Sequence, residues 1–298
     1  MRKRKQPHRQ SSAESPKTTV KSGGGGGQSP FSDHSRPTPE ECISVRDDLL
    51  SLHGFPQEFM KYRNQRLKAK SQLEKFAKIE PLIDEGEADE KESVLDGLVK
   101  TILSQNTTEL NSERAFASLK KAFPTWQDIL EAESKYVEDA IRCGGLAPTK
   151  SSCIKNLLSF LLEKKGKLCM EYLRELSVEE VKAELSLLKG IGPKTVSCVL
   201  MFNLQHDDFP VDTHVFQIAK RMGWVPAVAD VKTTYLHLNQ RIPPELKFDL
   251  NCLLYTHGKV CRRCSNRKVG VKNKEAEDGG CPLLAYPEQC KVESEVQI

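Results

Sequence analysis

Apolar residues recur at helical spacing through most of the chain from about residue 41 onward. The repeat at i, i+3, i+4 and i+7 predicts amphipathic α-helices, and alternation typical of β-strands is scarce. Glycine pairs, single glycines and the Pro243-Pro244 pair interrupt the pattern. We therefore predict an all-α fold, with its clearest helical stripes at Leu95, Leu98, Val99 and Ile102, at Ile154, Leu157, Leu158, Leu161 and Leu162, and at Val215, Ile218, Ala219 and Met222.

The first 40 residues follow a different pattern. They are rich in Ser, Thr and Pro, contain five consecutive glycines and have almost no large apolar side chains, which is typical of disorder. The basic run Arg2–Lys5 is interpreted as a nuclear localisation signal or an arm that contacts DNA, with a plain solvated tail or a plastid or other organelle leader as alternatives. We predict four segments: a tail at 1–40, a helical extension with an acidic linker at 41–91, a main domain at 92–258 and a Cys-rich end at 259–298.

Charge and hydropathy narrow the function classes. The net charge is +4, but the tail carries +5 and the remainder −1, so total charge does not indicate nucleic-acid binding. No apolar run approaches the roughly 20 residues that span a bilayer. No signal-peptide core follows Met1, and so neither a membrane partner nor secretion is expected. Six scattered cysteines of the ten are expected to be reduced and mostly buried.

One segment, 188–223, carries candidate chemistry. Gly190-Ile191-Gly192 predicts a tight turn between two helices, which can serve only as a connector or can bring main-chain N–H groups to a phosphate. Lys194 follows in the first turn of the next helix. There the helix dipole and partial burial would lower its pKa and make the amine a nucleophile. The alternative is an exposed surface lysine.

Asp212 precedes an apolar-periodic helix. This position is typical of an N-cap, whose carboxylate accepts hydrogen bonds from the first N–H groups of the helix. The same hydrogen bonds would orient the carboxylate and keep it ionised, so a cap is compatible with a catalytic role.

The motif KGIGPKT, followed by an apolar helix and then FPVDTHVFQIAKRMGW, resembles the signature of the helix–hairpin–helix (HhH-GPD) DNA glycosylase superfamily. It is most similar to the endonuclease III branch and to plant DEMETER-type glycosylases. Asp212 follows Lys194 by 18 positions, which matches the spacing in endonuclease III-like enzymes. The resemblance covers roughly residues 92–290 and implies a two-lobed helical fold, with Lys194 as nucleophile and Asp212 as catalytic carboxylate.

The resemblance also implies a DNA-binding set. The segment 98–116 is similar to the family segment that supplies an amide to fill the gap left by a flipped base, here Gln105 or Asn106. Helix-end capping by these two amides is the alternative. Lys150 and Lys155 are candidates for phosphate contacts, or belong to a solvated basic face. The implied partner is double-stranded DNA, bound by a monomer.

Four cysteines cluster near the C-terminus, at Cys261, Cys264, Cys281 and Cys290. Their region resembles the iron–sulfur loop of endonuclease III relatives, although the interior spacing differs and 265–280 looks like an insertion. Four thiolates suit a [4Fe–4S] cluster or a tetrahedral zinc ion, and a region without metal is the third interpretation.

The function implied is a base-excision DNA glycosylase with AP lyase activity. Oxidised pyrimidines are the expected substrates, because the large accessory domains of the DEMETER type are not found in 298 residues; 5-methylcytosine and mismatched thymine are the alternatives. The rival hypothesis is a DNA-binding module without catalysis, and a third is a metal-site interaction protein.

Overall fold

The computed structural model describes residues 29–76, 92–264 and 280–286. These residues form helices and no strand, which confirms the predicted all-α class. Twelve α-helices follow in order: α1 Pro39–His53, α2 Met60–Phe76, α3 Val94–Ser104, α4 Glu109–Ala122, α5 Trp126–Glu131, α6 Ser134–Ala140, α7 Ala147–Lys165, α8 Val178–Ser186, α9 Pro193–Cys198, α10 Thr213–Arg221, α11 Val231–Arg241 and α12 Pro244–Val260. None of the described helices is long and apolar enough to cross a bilayer.

Local sequence signals explain where helices begin and end. The α1 N-terminus has a capping box, in which the Thr38 hydroxyl accepts from the Glu41 N–H and the Glu41 carboxylate accepts from the Thr38 N–H. Pro39 occupies the first helical position, where its missing N–H costs nothing. The helix ends at Gly54, whose φ of 64° lies in a region that other residues resist.

Two hydrophobic cores divide the described helices into two lobes. The first core is built from apolar residues of α3 to α9, between Val94 and Leu200. The second joins α1 to α10, α11 and α12, and it includes Cys264, Cys281 and Leu283 beyond α12. The extension predicted at 41–91 therefore starts with a helix of the second core. The described part of the Cys-rich end packs in that core as well.

A small aromatic cluster lies between the lobes. Phe202 stacks on Phe59 with ring centroids 5.5 Å apart and contacts Tyr62 and Phe248 at 5.2 and 5.9 Å. Phe202 belongs to a π-helical turn, Val199–Asn203, that continues α9. A π-turn rotates the side chains that follow it relative to a regular helix and is frequent at functional sites. Here the π-turn at the end of α9 brings Phe202 into contact with aromatic side chains of α2 and α12.

The last dozen residues of the predicted tail at 1–40 pack on the second lobe. Residues 1–28, including the basic run, lie outside the described part, but Ser29 already donates to His237 Nδ1 at 2.7 Å. His237 is fully buried and donates through Nε2 to the Arg36 carbonyl, while His34 donates to the Gly223 carbonyl. The boundary at residue 40 is therefore wrong by about a dozen residues. The error arose because Phe31 alone marks this segment as core-forming in sequence.

Candidate active site

The predicted hairpin lies between α8 and α9. Gly190 adopts a φ of 92°, and a Cβ at this position would lie 2.8 Å from Cys153 Sγ on α7. Ile191 is buried beneath the turn, and Gly192 is the N-cap residue of α9. The turn is thus both a tight helix connector and a segment whose backbone packs closely on α7. Its position leaves Gly192, Pro193 and Lys194 exposed.

Lys194 occupies the second position of α9 and lines a pocket between the lobes. Its side chain is exposed, so the partial burial expected from the apolar helix is not found. The reason is geometric: the first turn of α9 projects beyond the core, and burial begins at Thr195 and Val196. Lys194 therefore combines access from solvent with a place at the pocket wall.

Asp212 is the N-cap of α10, as predicted. Its Oδ1 accepts a hydrogen bond from the Val215 N–H at 2.8 Å. The carboxylate also lines the pocket that Lys194 lines. This hydrogen bond fixes the direction of the Asp212 carboxylate. Its other oxygen, Oδ2, takes no part in capping α10.

The pocket has a volume of about 480 Å³, within the range of small-ligand sites and larger than a nucleobase. The first lobe supplies Lys194 and Cys198 to its wall, and the second supplies Asp212 and Tyr255. The 3₁₀-turn Gln57–Phe59 and α2 close another side. Lys194 and Asp212 therefore line the same cleft between the lobes.

Cys198 follows Lys194 by one helical turn. Burial raises the pKa of its thiol to about 11, with the Lys194 ammonium opposing the shift and the Asp212 carboxylate adding to it. Both charged groups are thus close enough to act on Cys198. At neutral pH the thiol is protonated and a poor nucleophile, so the amine is the stronger candidate.

The sequence analysis did not identify the residues that position Asp212 and the pocket around it. Asn251 on α12 is buried and donates to the Pro210 carbonyl at 2.7 Å, two residues before Asp212. The available signal was a polar residue between Leu250 and Leu253 on a buried helix face. Nothing in the sequence marks the π-turn or the arrival of α2 at the pocket.

Gly258 permits α10 and α12 to approach. A Cβ at this position would lie 2.5 Å from His214 Cβ, two residues after Asp212. We expect Gly258→Ala to lower the free energy of unfolding by about 1–3 kcal/mol, as overpacking does, measured by urea denaturation. Gly→Ala inside an unconstrained helix raises stability by roughly 1 kcal/mol. A stabilised Gly258→Ala variant would therefore contradict this packing.

Comparison with known proteins agrees with this geometry. A family model described as "HhH-GPD superfamily base excision DNA repair protein" matches residues 99–244. A protein of Arabidopsis thaliana named "Putative DNA glycosylase" is 62% identical over 265 residues, which cover 87% of this chain and 89% of that protein. The chain belongs to the HhH-GPD superfamily. It is a DNA glycosylase of the endonuclease III type, which confirms the family predicted from KGIGPKT and FPVDTH.

Shorter matches reach the plant ROS1 and DEMETER proteins, as predicted. The "DNA glycosylase/AP lyase ROS1" of Arabidopsis thaliana is 35% identical over 118 residues, which are 40% of this chain and 8% of that protein. The fold matches endonuclease III from a structure of its trapped covalent DNA intermediate, with a TM-score of 0.58 and 19% identity over 86% of this chain and 99% of the other. The two-lobed fold of the HhH-GPD glycosylase is thereby confirmed.

The two amides predicted to fill the gap left by a flipped base have different surroundings. Gln105 caps the C-terminus of α3, and its side-chain amide donates to the Thr195 hydroxyl on α9 at 3.1 Å. Asn106 follows in the left-handed region, with a φ of 51°, and its side chain is exposed. Gln105 thus joins two helices of the site, whereas Asn106 projects from the turn between α3 and α4.

Lys150 is not at a surface that a phosphate can reach. Its side chain is 2% exposed, and its amine donates to the Leu103 and Gly144 carbonyls at 2.7 and 2.9 Å. Burial lowers the pKa of this amine. Lys155 likewise donates to the Ala132 carbonyl. Both lysines close interhelical gaps in the first lobe, so the prediction of a Lys150 phosphate contact is not supported by this geometry.

Three of the four predicted cysteine ligands lie together. Cys261, Cys264 and Cys281 approach His257, and the ligand atoms of all four residues lie within 4.8 Å of one another. His257 was missed because the prediction considered only cysteines as ligands in this part of the chain. Cys290, the fourth predicted ligand, lies outside the described residues.

Proposed function

We propose that this glycosylase is bifunctional, excising a base and then cleaving the strand as an AP lyase, with Lys194 as nucleophile and Asp212 as catalytic carboxylate. The observation that carries the proposal is that both side chains line one pocket large enough for a base. The name "DNA glycosylase/AP lyase" of the ROS1 relative supports the lyase activity.

In the proposed reaction, the target base leaves the duplex stack and enters the pocket. Lys194 Nζ attacks C1′ of the sugar, and a C1′–N bond forms as the glycosidic bond breaks and the base departs. Asp212 stabilises the positive charge that grows on the sugar, or helps to deprotonate Lys194. The hydrogen bond from the Val215 N–H fixes the direction of the Asp212 carboxylate, which either role requires.

The lyase step follows from the covalent link. Loss of a proton from nitrogen and opening of the sugar ring give a Schiff base between Lys194 and C1′. The imine acidifies the C2′ hydrogen, so that proton abstraction breaks the C3′–oxygen bond by β-elimination. Hydrolysis of the imine then releases Lys194. The thiol of Cys198 stays protonated throughout at neutral pH because of its raised pKa.

Two further contacts complete the proposed DNA interface. Main-chain N–H groups at Gly190 and Gly192 bind a backbone phosphate, which gives affinity independent of sequence. The third predicted residue, Ile191, supports the turn from beneath, because it is buried and its N–H donates to the Leu188 carbonyl at 3.1 Å. Asn106 fills the gap left by the flipped base, since it is exposed at a turn while Gln105 is held by Thr195.

The two amides are distinguished by paired variants. We expect Asn106→Ala to reduce excision from duplex DNA about 10-fold, with unchanged thermal stability, because the flipped state loses its filler. Gln105→Ala should instead lower the free energy of unfolding by about 1 kcal/mol, the net value of a typical hydrogen bond. Single-turnover excision and thermal melts of both variants measure this. Equal excision by Asn106→Ala and wild-type protein, together with a loss in Gln105→Ala, would reverse the assignment.

We propose oxidised pyrimidines as substrates. The pocket offers the aromatic rings of Phe202 and Tyr255 for stacking and the polar side chains of Thr101, Ser104 and Asn203 for hydrogen bonds. A pocket lined by aromatic and polar side chains suits a pyrimidine ring that carries additional polar groups after oxidation.

Duplexes that each contain one candidate base test the function. Incubation with oxidised pyrimidine, 5-methylcytosine and mismatched thymine substrates, followed by gel analysis with and without alkali, separates excision from strand cleavage. We expect excision and alkali-independent cleavage at an oxidised pyrimidine. Binding to every duplex without excision of any base would favour the non-catalytic module instead. Nuclear localisation and a monomeric state remain predictions from the sequence.

A further inference from the structure

The side-chain cluster at the end of α12 is nearly sealed from solvent. His257 is 1% exposed, Cys264 2% and Cys281 8%, while Cys261 is half-buried. His257 lies in the last turn of α12, Cys261 is the C-cap residue directly after this helix, and Cys264 follows in the next turn of the chain. Cys281 enters from the segment 280–286. Three thiols and an imidazole therefore converge from two chain segments that are distant in sequence.

The spacing of the donor atoms tests which metal group fits. Each thiolate of a [4Fe–4S] cluster binds a different iron, so its sulfurs are held apart by the width of the cluster, about 6 Å. Here Cys264 Sγ and Cys281 Sγ are 3.6 Å apart, and all four donor atoms lie within 4.8 Å. The residues present do not fit the cluster that the endonuclease III resemblance implies.

A single tetrahedral ion fits the same spacing. Zinc–sulfur bonds of about 2.3 Å and zinc–nitrogen bonds of about 2.1 Å place neighbouring ligand atoms roughly 3.5–3.8 Å apart around one ion. The Cys264–Cys281 distance lies in this range, and His257 Nε2 is 3.3 Å from Cys281 Sγ. Three thiolates and one imidazole form one of the common sets of structural zinc ligands.

The orientation of His257 supports a ligand role. Its Nε2 faces Cys281, while its Nδ1 is 2.9 Å from Nε2 of His53 at the end of α1. Metal-binding histidines almost always use one ring nitrogen for the metal and the other for such a hydrogen bond, which fixes the ring. His53 is then a positioning residue. The Tyr286 hydroxyl, which donates to Asp48 at 2.6 Å, attaches the Cys281 segment to the same helix.

We propose that His257 Nε2 and the thiolates of Cys261, Cys264 and Cys281 bind one zinc ion, in place of a [4Fe–4S] cluster and without Cys290. Binding releases the three thiol protons to solvent and changes no oxidation state. The ion attaches the segment after residue 280 to α12 and, through His53, to α1. The function of the ion is structural, because its cysteine ligands belong to the core of the second lobe and none of its four ligands lines the Lys194 pocket.

Metal analysis of the full chain tests the proposal without any variant. Protein is purified anaerobically from cells supplied with both metals, and a second sample is incubated with ferrous iron and sulfide. We expect one zinc per chain, no acid-labile sulfide and no broad absorbance near ~400 nm, the order of magnitude for thiolate-bound iron. X-ray absorption at the zinc edge should show three sulfur neighbours and one nitrogen. Four irons with sulfide, four sulfur neighbours on zinc, or no metal taken up would each overturn the assignment.

Two variants test whether His257 or Cys290 is the fourth metal ligand. Cobalt(II) titration of metal-free protein reports tetrahedral thiolate coordination by its visible absorption, and competition with zinc gives affinities. His257→Gln should weaken metal affinity at least about 10-fold, as loss of a ligand does, whereas Cys290→Ser should bind as wild type. Circular dichroism checks that both variants are helical. If His257→Gln does not fold, the X-ray absorption result on the wild type decides. Loss of metal in Cys290→Ser with retention in His257→Gln would contradict the proposal.

Discussion

Asp212→Asn is expected to reduce base excision by on the order of 10²-fold or more while the protein stays folded. Asparagine is as good an N-cap as aspartate, so its side-chain oxygen can keep the hydrogen bond from the Val215 N–H. The substitution removes the negative charge that stabilises the sugar cation or accepts the proton of Lys194. Single-turnover excision on the preferred duplex measures the loss, and urea denaturation should show stability within about 0.5 kcal/mol of wild type.

The chain offers a matched control for this substitution. Asp230 caps α11 with nearly the same backbone geometry, and its Oδ1 accepts from the Thr233 N–H at 2.7 Å. It does not line the pocket. Asp230→Asn should therefore leave excision unchanged. Equal activities for the Asp212 and Asp230 variants would show that Asp212 is only a cap, and the catalytic assignment would be wrong.

Lys194→Gln is expected to abolish covalent trapping and strand cleavage. Glutamine keeps much of the side-chain length but has no nucleophilic amine, so no Schiff base forms. Because Lys194 is exposed at the start of α9, we expect no loss of stability. Borohydride reduction on a duplex with an abasic site, followed by denaturing gels, measures the trapped complex.

Loss of a positive charge near DNA must be separated from loss of the nucleophile. Lys189 lies in the same hairpin, is also exposed and does not line the pocket. Lys189→Gln should weaken DNA affinity to a similar extent through the lost charge but keep trapping at saturating protein. Trapping reduced equally in both variants would indicate that binding, and not chemistry, was measured.

The helical architecture and the catalytic motif could be predicted because their signals are local. Apolar spacing determines the buried helix faces, and Thr38, Asp212 and Asp230 are capping residues that act within a single turn. The hairpin at Gly190 was predictable for the same reason, since its φ of 92° requires glycine.

The features that the sequence did not predict depend on contacts between segments that are distant in sequence. Lys150 looked like a surface cation, but α7 turns it towards the free carbonyls of Leu103 and Gly144, which only the tertiary fold places together. Asn251 reaches Pro210 from α12, and His53 reaches His257 from α1, across 204 positions of sequence. No periodicity within one helix encodes such pairs, so sequence reasoning placed Lys150 wrongly and omitted the others.

Mapping the site of covalent attachment tests the central claim most directly. The wild-type chain is reduced with borohydride while bound to a duplex containing an abasic site, digested with a protease and nuclease, and sequenced by mass spectrometry. We predict that the sugar remnant is attached to Nζ of Lys194, in the peptide that follows Gly190-Ile191-Gly192-Pro193. Attachment to another amine, or no adduct on a protein that binds the duplex, would contradict the proposed lyase mechanism.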